Sequence, residues 1–409
     1  MSNFLQLLIE IIVILAAAKG AGYLSTRIRQ PSVFGELLVG VLLGPSLLNI
    51  THLGFISNPH IDEVIYELGE IGVLLLMFLA GLELHLKDLT RNSKASLLAG
   101  FLGVILPVGS GLLFGELLGM DFNHALFLGL TLGATSVSIS AQVLIELDKL
   151  RSKVGLGLLG AAVFDDILVI LLLSTALAFL SGAGGALDIL IVFLKMITFL
   201  AVAAALGIWV LPAALRMVHK LHISEGLTTL TLVTLFGYGL AAELVGGMAA
   251  ITGTFLAGLM FSRTPEKSLI ETSLHPLSYA FFVPIFFVSI GLNVNLRELQ
   301  LDSLWIFLAI SVIAILGKVI GAGAGALLAR YSPRESLQLG IGMVSRGEVG
   351  LIIANIGIQE GYLSSEMMTI IVGMILVSTL ITPPLLRAAF KETKKKSPGL
   401  PAHLEAGKG

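Results

Sequence analysis

Thirteen long apolar runs dominate this chain, near residues 4–25, 32–49, 67–86, 93–118, 122–146, 153–180, 186–216, 224–241, 243–262, 270–292, 303–329, 335–358 and 365–388. A helix needs about 20 mostly apolar residues to cross a bilayer, so the pattern predicts an all-α integral membrane protein of about thirteen transmembrane helices. The alternative, a soluble fold, fails on composition. Of the 409 residues, 56% are hydrophobic and 13% charged, where soluble domains average roughly 45–50% and about 25%. There is too little polar material to clothe a water-facing surface. Cysteine is absent, which excludes disulfides and thiolate chemistry, and a net charge of −2 gives no sign of a nucleic-acid partner.

The basic residues test the count of spans. Alternate connections carry Arg27 and Arg29; Lys87, Arg91 and Lys94; Lys149, Arg151 and Lys153; Arg216 and Lys220; Arg263 and Lys267; Arg330 and Arg334; and, after the last span, Arg387, Lys391, Lys394, Lys395, Lys396 and Lys408. These are 20 of the 25 Lys and Arg residues, while the intervening connections hold only Arg297 and the other four lie inside spans. Cytoplasmic loops are the ones enriched in Lys and Arg. The expected orientation therefore has the N-terminus outside and the C-terminus in the cytoplasm; as a separate expectation, the membrane is a plasma (inner) membrane of bacterial type.

An odd number of spans inverts the second half of the chain relative to the first, with the seventh span as linker. Two faint echoes fit such a repeat: Leu38–Gly44 with Thr252–Gly258, and Phe78–Glu83 with Val288–Asn293. Inverted repeats mark secondary transporters, whose substrates bind near the bilayer midplane on interrupted helices.

Charges inside spans are costly, about 2.5–3.5 kcal/mol each on insertion scales, and point to function. The sixth span carries Phe164-Asp165-Asp166-Ile167 at its midpoint. Neighbours on a helix point about 100° apart, so one carboxylate can face a partner and the other a water-filled cavity. Anionic oxygens bind protons and hard monovalent cations alike, so the two can compete for one site. Lys318 lies mid-way along the eleventh span, too deep to snorkel easily, and Asp165 is its expected partner. The fifth span carries Ala134-Thr135-Ser136-Val137-Ser138 and the twelfth Ser345-Arg346-Gly347-Glu348-Val349-Gly350. Short hydroxyl side chains can patch an unwound backbone and glycine weakens a helix, so both spans are expected to be discontinuous and to cross beside the acids. Half-helix N-termini are positive and C-termini negative; Glu348 would balance the former and Arg346 the latter. Glu36, Glu70, Glu83, Glu116 and Glu243, towards span ends, are expected to be solvated. His85, His219, His222 and His275 read as cytoplasmic surface histidines, and residues 391–409 as a disordered tail.

In their order along the chain, these residues resemble the monovalent cation/proton antiporter-2 family, nearest to its NapA-like sodium/proton exchangers and related to Kef-type transporters. The likeness spans residues 1–390. It implies a homodimer in which residues 1–92 (helices 1–3) and 222–300 (helices 8–10) form the dimerisation domain. Residues 93–182 (helices 4–6) and 301–390 (helices 11–13) would form a core that moves as an elevator, and 183–221 (helix 7) the linker. It also implies Asp166 as the main cation ligand, Asp165 as the partner of Lys318, and Thr135 and Ser136 at the ion site. Kef-like members have Gln-Asp where this chain has Asp165-Asp166, which favours electrogenic exchange of Na+, with Li+ or K+ also possible substrates, for protons. No cofactor is implied, and the partners are these ions, membrane lipids and a second copy of the chain.

The alternatives are electroneutral potassium/proton exchange, a sodium/organic-anion symporter of the same fold, a channel and a membrane enzyme. A channel lacks support because no selectivity-filter repeat of the potassium-channel kind is present. An aspartyl protease needs acids on facing helices, not neighbours on one.

Overall fold

The computed structural model describes residues 3–49, 59–84, 92–181, 186–221, 224–292, 295, 297 and 303–391. His85, Lys87, Arg91, His222 and the tail after Lys391 lie outside the described residues, as does the side chain of Glu348. Most of the described residues are helical, with no strand among them. Without water to take up backbone hydrogen bonds, a lipid-spanning chain must satisfy them within each segment, and the helix does so.

In chain order the helices are α1 (Asn3–Arg27), α2 (Ser32–Leu43), α3 (Pro59–Glu83) and α4 (Ser93–Leu117). Next come α5a (Phe122–Gly133) and α5b (Val137–Glu146), then α6 (Lys153–Ser181). α7 runs Ala186–Trp209 and resumes as Leu211–Lys220 around Pro212. α8 (Gly226–Ala241) ends in a π-helical turn, Ala242–Gly246, before α9 (Ala250–Phe261). α10 comprises Lys267–Leu277, a π-helical turn Ser278–Phe282 and Val283–Leu292. α11 (Leu304–Leu328), α12a (Pro333–Gly342), α12b (Glu348–Gln359) and α13 (Ser365–Phe390) complete the chain. Ten of the described segments are long and apolar enough to cross a membrane, and three shorter apolar helices accompany them: Ser32–Leu43, Ala250–Phe261 and Val349–Gln359.

Several boundaries differ from the sequence reading, among them the start of α3, at Pro59 rather than near 67. α8 continues past residue 241 to Gly246, and α9 starts only at Ala250, because the chain turns at Gly247 in the left-handed region (φ +62) that glycine tolerates. α2 stops at Leu43 rather than near 49, where Gly44 and Pro45 follow.

α4 lies against α11, α5a and α6; α12a packs on α11, α13 and α6; α12b packs on α5a and α13. α3 lies against α9 and α10, α10 against α1 and α2, and α8 against α9. α7 touches α6 on one side and α8 and α9 on the other.

Lipid tails are as apolar as leucine, so helices in membranes associate through close packing at small residues. The segments that echo each other in sequence meet crosswise, α2 with α10 and α9 with α3. A Cβ on Gly258 of α9 would lie 2.0 Å from the Phe78 carbonyl oxygen of α3, and one on Gly40 of α2 would lie 2.2 Å from the Val288 oxygen of α10. Both crossings thus bring backbone against backbone.

Glu36 corrects the expectation of a solvated carboxylate. It is only 5% exposed, with its Oε1 3.9 Å from Lys19 Nζ. Lys19 itself reaches the surface and donates to the Tyr279 carbonyl (2.8 Å), while Lys195 is exposed. His219 Nε2 lies 3.5 Å from Glu266 Oε1, and His275 stacks on Tyr279.

Candidate functional site

Each interruption leaves helix-end carbonyl and amide groups that need partners. At the first, Ala134 and Ser136 are extended between α5a and α5b. At the second, Met343–Gly347 separates α12a from α12b. The two stretches supply each other. Ser136 N donates to Ser345 O (2.9 Å), and Ser345 Oγ donates to Ser136 O (2.5 Å). Ser140 Oγ donates to Gly342 O at 2.6 Å, and Ser136 Oγ lies 3.0 Å from Ser138 Oγ.

Arg346 is fully buried and serves the carbonyls beyond the end of α12a. Its Nη1 donates to Val344 O (3.0 Å) and Met343 O (3.3 Å), and its Nη2 to Ala314 O of α11 (2.9 Å). Thr379 of α13 donates to the Arg346 carbonyl at 2.7 Å. A guanidinium with five donors in a fixed plane suits several carbonyls at once.

The acids of α6 stand beside this patch. Asp165 is fully buried, and Lys318 Nζ donates to its Oδ1 at 2.9 Å, with the lysine equally buried. Arg346 is within electrostatic range of Asp165 but spends its hydrogen bonds on carbonyls. The Thr135 hydroxyl lies near Asp165 without forming a hydrogen bond of normal geometry, and Asp165 Oδ2 accepts none. Asp166, 6% exposed, has different company. Its Oδ2 accepts from Thr252 Oγ1 of α9 (2.9 Å). It also lines a small cavity between α5b and α6 on one side and α3 and α9 on the other, shared with Met77, Val137, Ile251 and Phe255. That cavity has about 10 Å³ of room, close to what one water needs.

Asp165, Asp166, Thr135, Ser136, Lys318 and Arg346 therefore converge on one buried patch. Sequence reasoning missed Thr252 and Thr379. A hydroxyl on an apolar helix carries no local signal, since Thr254, two residues from Thr252, simply donates back to Ile251 O (3.0 Å). It also missed Glu146, at the end of α5b, whose carboxylate accepts from Ser32 N and Ser32 Oγ (both 2.6 Å) and from Val33 N (3.3 Å). α2 thus has its N-terminus capped by a residue of another helix.

Chemically, the patch separates a carboxylate bonded directly to Lys318 from one that accepts from the Thr252 hydroxyl and borders a water-sized cavity.

Residues 12–391 match the family model described as "Sodium/hydrogen exchanger, transmembrane". The chain is 42% identical over 381 residues to the Na(+)/H(+)-K(+) antiporter GerN of Bacillus cereus, covering 93% of this chain and 95% of the relative. It is 38% identical to a Na(+)/H(+) antiporter of Enterococcus hirae, covering 91% and 95%. In structure it resembles the sodium proton antiporter MjNhaP1 of Methanocaldococcus jannaschii at pH 8, with a TM-score of 0.64 at 17% identity, covering 95% of this chain and 97% of the other. At that identity the likeness shows the fold.

Proposed function

The chain belongs to the sodium/hydrogen exchanger family, and on that premise we propose that it exchanges a monovalent cation, Na+ first, for protons at Asp166. The observation that carries the reading is the unequal company of the two acids: Asp165 faces Lys318, whereas Asp166 faces Thr252 and a small cavity. A proton or a cation arriving at Asp166 meets an anionic oxygen beside a neutral hydroxyl donor and a water-sized cavity. The Lys318–Asp165 pair holds the second titratable charge, and its proton accompanies the one on Asp166, so that two protons move per cation and exchange is electrogenic.

The movement is an elevator. Helices α4–α6 and α11–α13 form the core and carry the site; α1–α3 and α8–α10 form the dimerisation domain, and α7 links them. Thirteen spans cross the membrane, with the two interrupted helices crossing each other beside Asp165, the N-terminus outside and the C-terminus cytoplasmic. Two contacts joining the groups, Thr252 to Asp166 and Glu146 to the N-terminus of α2, are those the core must release as it slides.

Potassium is the second reading for the cation, favoured by the name of the GerN relative, a Na(+)/H(+)-K(+) antiporter. Proteoliposomes loaded in turn with Na+, Li+ and K+, with the membrane potential clamped and internal pH followed, test both readings. Cation-driven proton flux that responds to the clamped potential is expected. Flux indifferent to the potential would overturn electrogenic exchange, and flux with K+ alone would select the second reading.

A further inference from the structure

Away from the acids, a cavity of about 510 Å³ opens between the α1–α2 connection, the segment after α5b and the end of α13. Among the described residues its walls carry Arg29, Lys149, Arg387 and Lys391, with Gln30 beside them, and no acidic residue. The volume falls in the range of small-molecule sites, about 300–1,000 Å³.

Basic residues on this side serve orientation, but for that purpose they need only lie on the correct side of the membrane. Here they converge. Arg29 sits in the left-handed region (φ +59), in a reversal closed by Arg29 N to Thr26 O (2.9 Å), Gln30 N to Ser25 O (2.9 Å) and Ser25 Oγ to Pro31 O (2.6 Å). Lys149 and Arg387 are half-buried. Among the described residues, none of the four makes an ion pair. The nearby acids are engaged or lie elsewhere: Glu146 caps α2, Glu335 pairs with Lys153, and Asp148 does not line the cavity. Four like charges around one cavity repel one another, and a multivalent anion there would relieve all four at once. Arginine's planar fork matches phosphate oxygens two at a time.

We propose that this cavity binds a phosphate-bearing anion and that the bound anion clamps the transporter. The walls come from α1–α2 on one side and from α5b and α13 on the other, so an anion seated between them favours this arrangement over any in which they separate. A ligand with such a preference shifts the conformational equilibrium towards the state it binds. The clamping half rests on the elevator reading above; the binding half does not. The same chemistry is offered by a soluble phosphate compound and by an anionic lipid headgroup.

The test uses the full chain and its Arg29→Gln/Arg387→Gln variant. Thermal stability is titrated with sodium pyrophosphate and with ATP at constant ionic strength. It is also measured in bilayers of phosphatidylcholine with and without phosphatidylglycerol. Binding of pyrophosphate or ATP that the double variant weakens at least tenfold identifies a soluble ligand. Stabilisation only by phosphatidylglycerol, lost in the variant, identifies a headgroup. No stabilisation by any of these, or equal stabilisation of both proteins, overturns the site. If the double variant does not fold, Lys149→Gln alone takes its place, with a severalfold loss expected and an unchanged affinity overturning the proposal. In proteoliposomes the ligand is expected to slow cation-driven proton flux at least threefold in the wild type and not in the variant. Binding without slowing overturns the clamp and leaves the site. Absence of any exchange before ligand is added contradicts the transport reading instead.

Discussion

Around Asp165, helices α5, α6, α11 and α12 are joined through side chains: Lys318 to Asp165, Arg346 to three carbonyls, Ser140 and Ser345 across the two interruptions. Around Gly40 and Gly258, α2 with α10 and α9 with α3 meet backbone to backbone. The first region has a glycine contact of its own, Gly340 of α12a against the Val319 oxygen of α11 (2.4 Å to a Cβ), and adds to it polar groups that need partners in a low-dielectric interior. The second holds its helices by shape, with almost no side-chain freedom at the contact. Rearrangement in the first means exchanging hydrogen bonds, which protons and cations can drive. Rearrangement in the second would mean prising backbones apart. On the proposed mechanism, the polar region is expected to respond to ions and the region held by glycine contacts alone to stay still.

The contrast is open to breakage at its strongest point. Gly258→Leu places side-chain carbon where only 2.0 Å separates a Cβ from the Phe78 oxygen, and no rotamer relieves an overlap with backbone. Loss of nearly all folded protein in detergent size-exclusion profiles is expected; normal yield would show that the seam is loose. Next in size, Lys318→Met leaves Asp165 buried without its partner, a loss of about 3–5 kcal/mol. Unfolding in detergent measures it, and adding Asp165→Asn is expected to recover most of the loss. Failure of the second change to recover stability would mean that Lys318 serves some group other than Asp165.

Thr252→Val removes a hydrogen bond to a carboxylate, worth about 1.5–3 kcal/mol. A hydroxyl also offers lone pairs to a cation, so the apparent KM for the cation is expected to rise about tenfold, with Thr252→Ser close to wild type. An unchanged KM would remove Thr252 from the site. Smallest is Glu146→Ala, which uncaps α2 for about 1 kcal/mol. Because Glu146 joins the two regions, the change is expected to alter turnover as well as stability; a change in stability alone would make it a simple cap.

Much of this was legible in the chain itself, for physical reasons. Apolar runs, the segregation of Lys and Arg, and charges in mid-span are expensive features that lipid forbids by default, so Asp165, Asp166, Lys318 and Arg346 stood out. The interruptions showed through Thr135, Ser136, Ser345 and Gly347, residues that weaken a helix. Contacts between distant helices were not legible. Nothing in Thr252 distinguishes it from Thr254, and nothing in Glu146 announces that it caps α2 from 114 residues away. Glu36 read as solvated because it lies near a span end, yet packing buries it beside Lys19.

The central claim is that Asp166 is the exchange site, and Asp166→Asn tests it most directly, since the amide keeps the shape and loses the charge. In proteoliposomes under a sodium gradient, the variant is expected to fold normally and to lose cation-driven proton flux by at least about a hundredfold, equivalent to about 2.7 kcal/mol. Exchange at the wild-type rate in that variant would contradict the account.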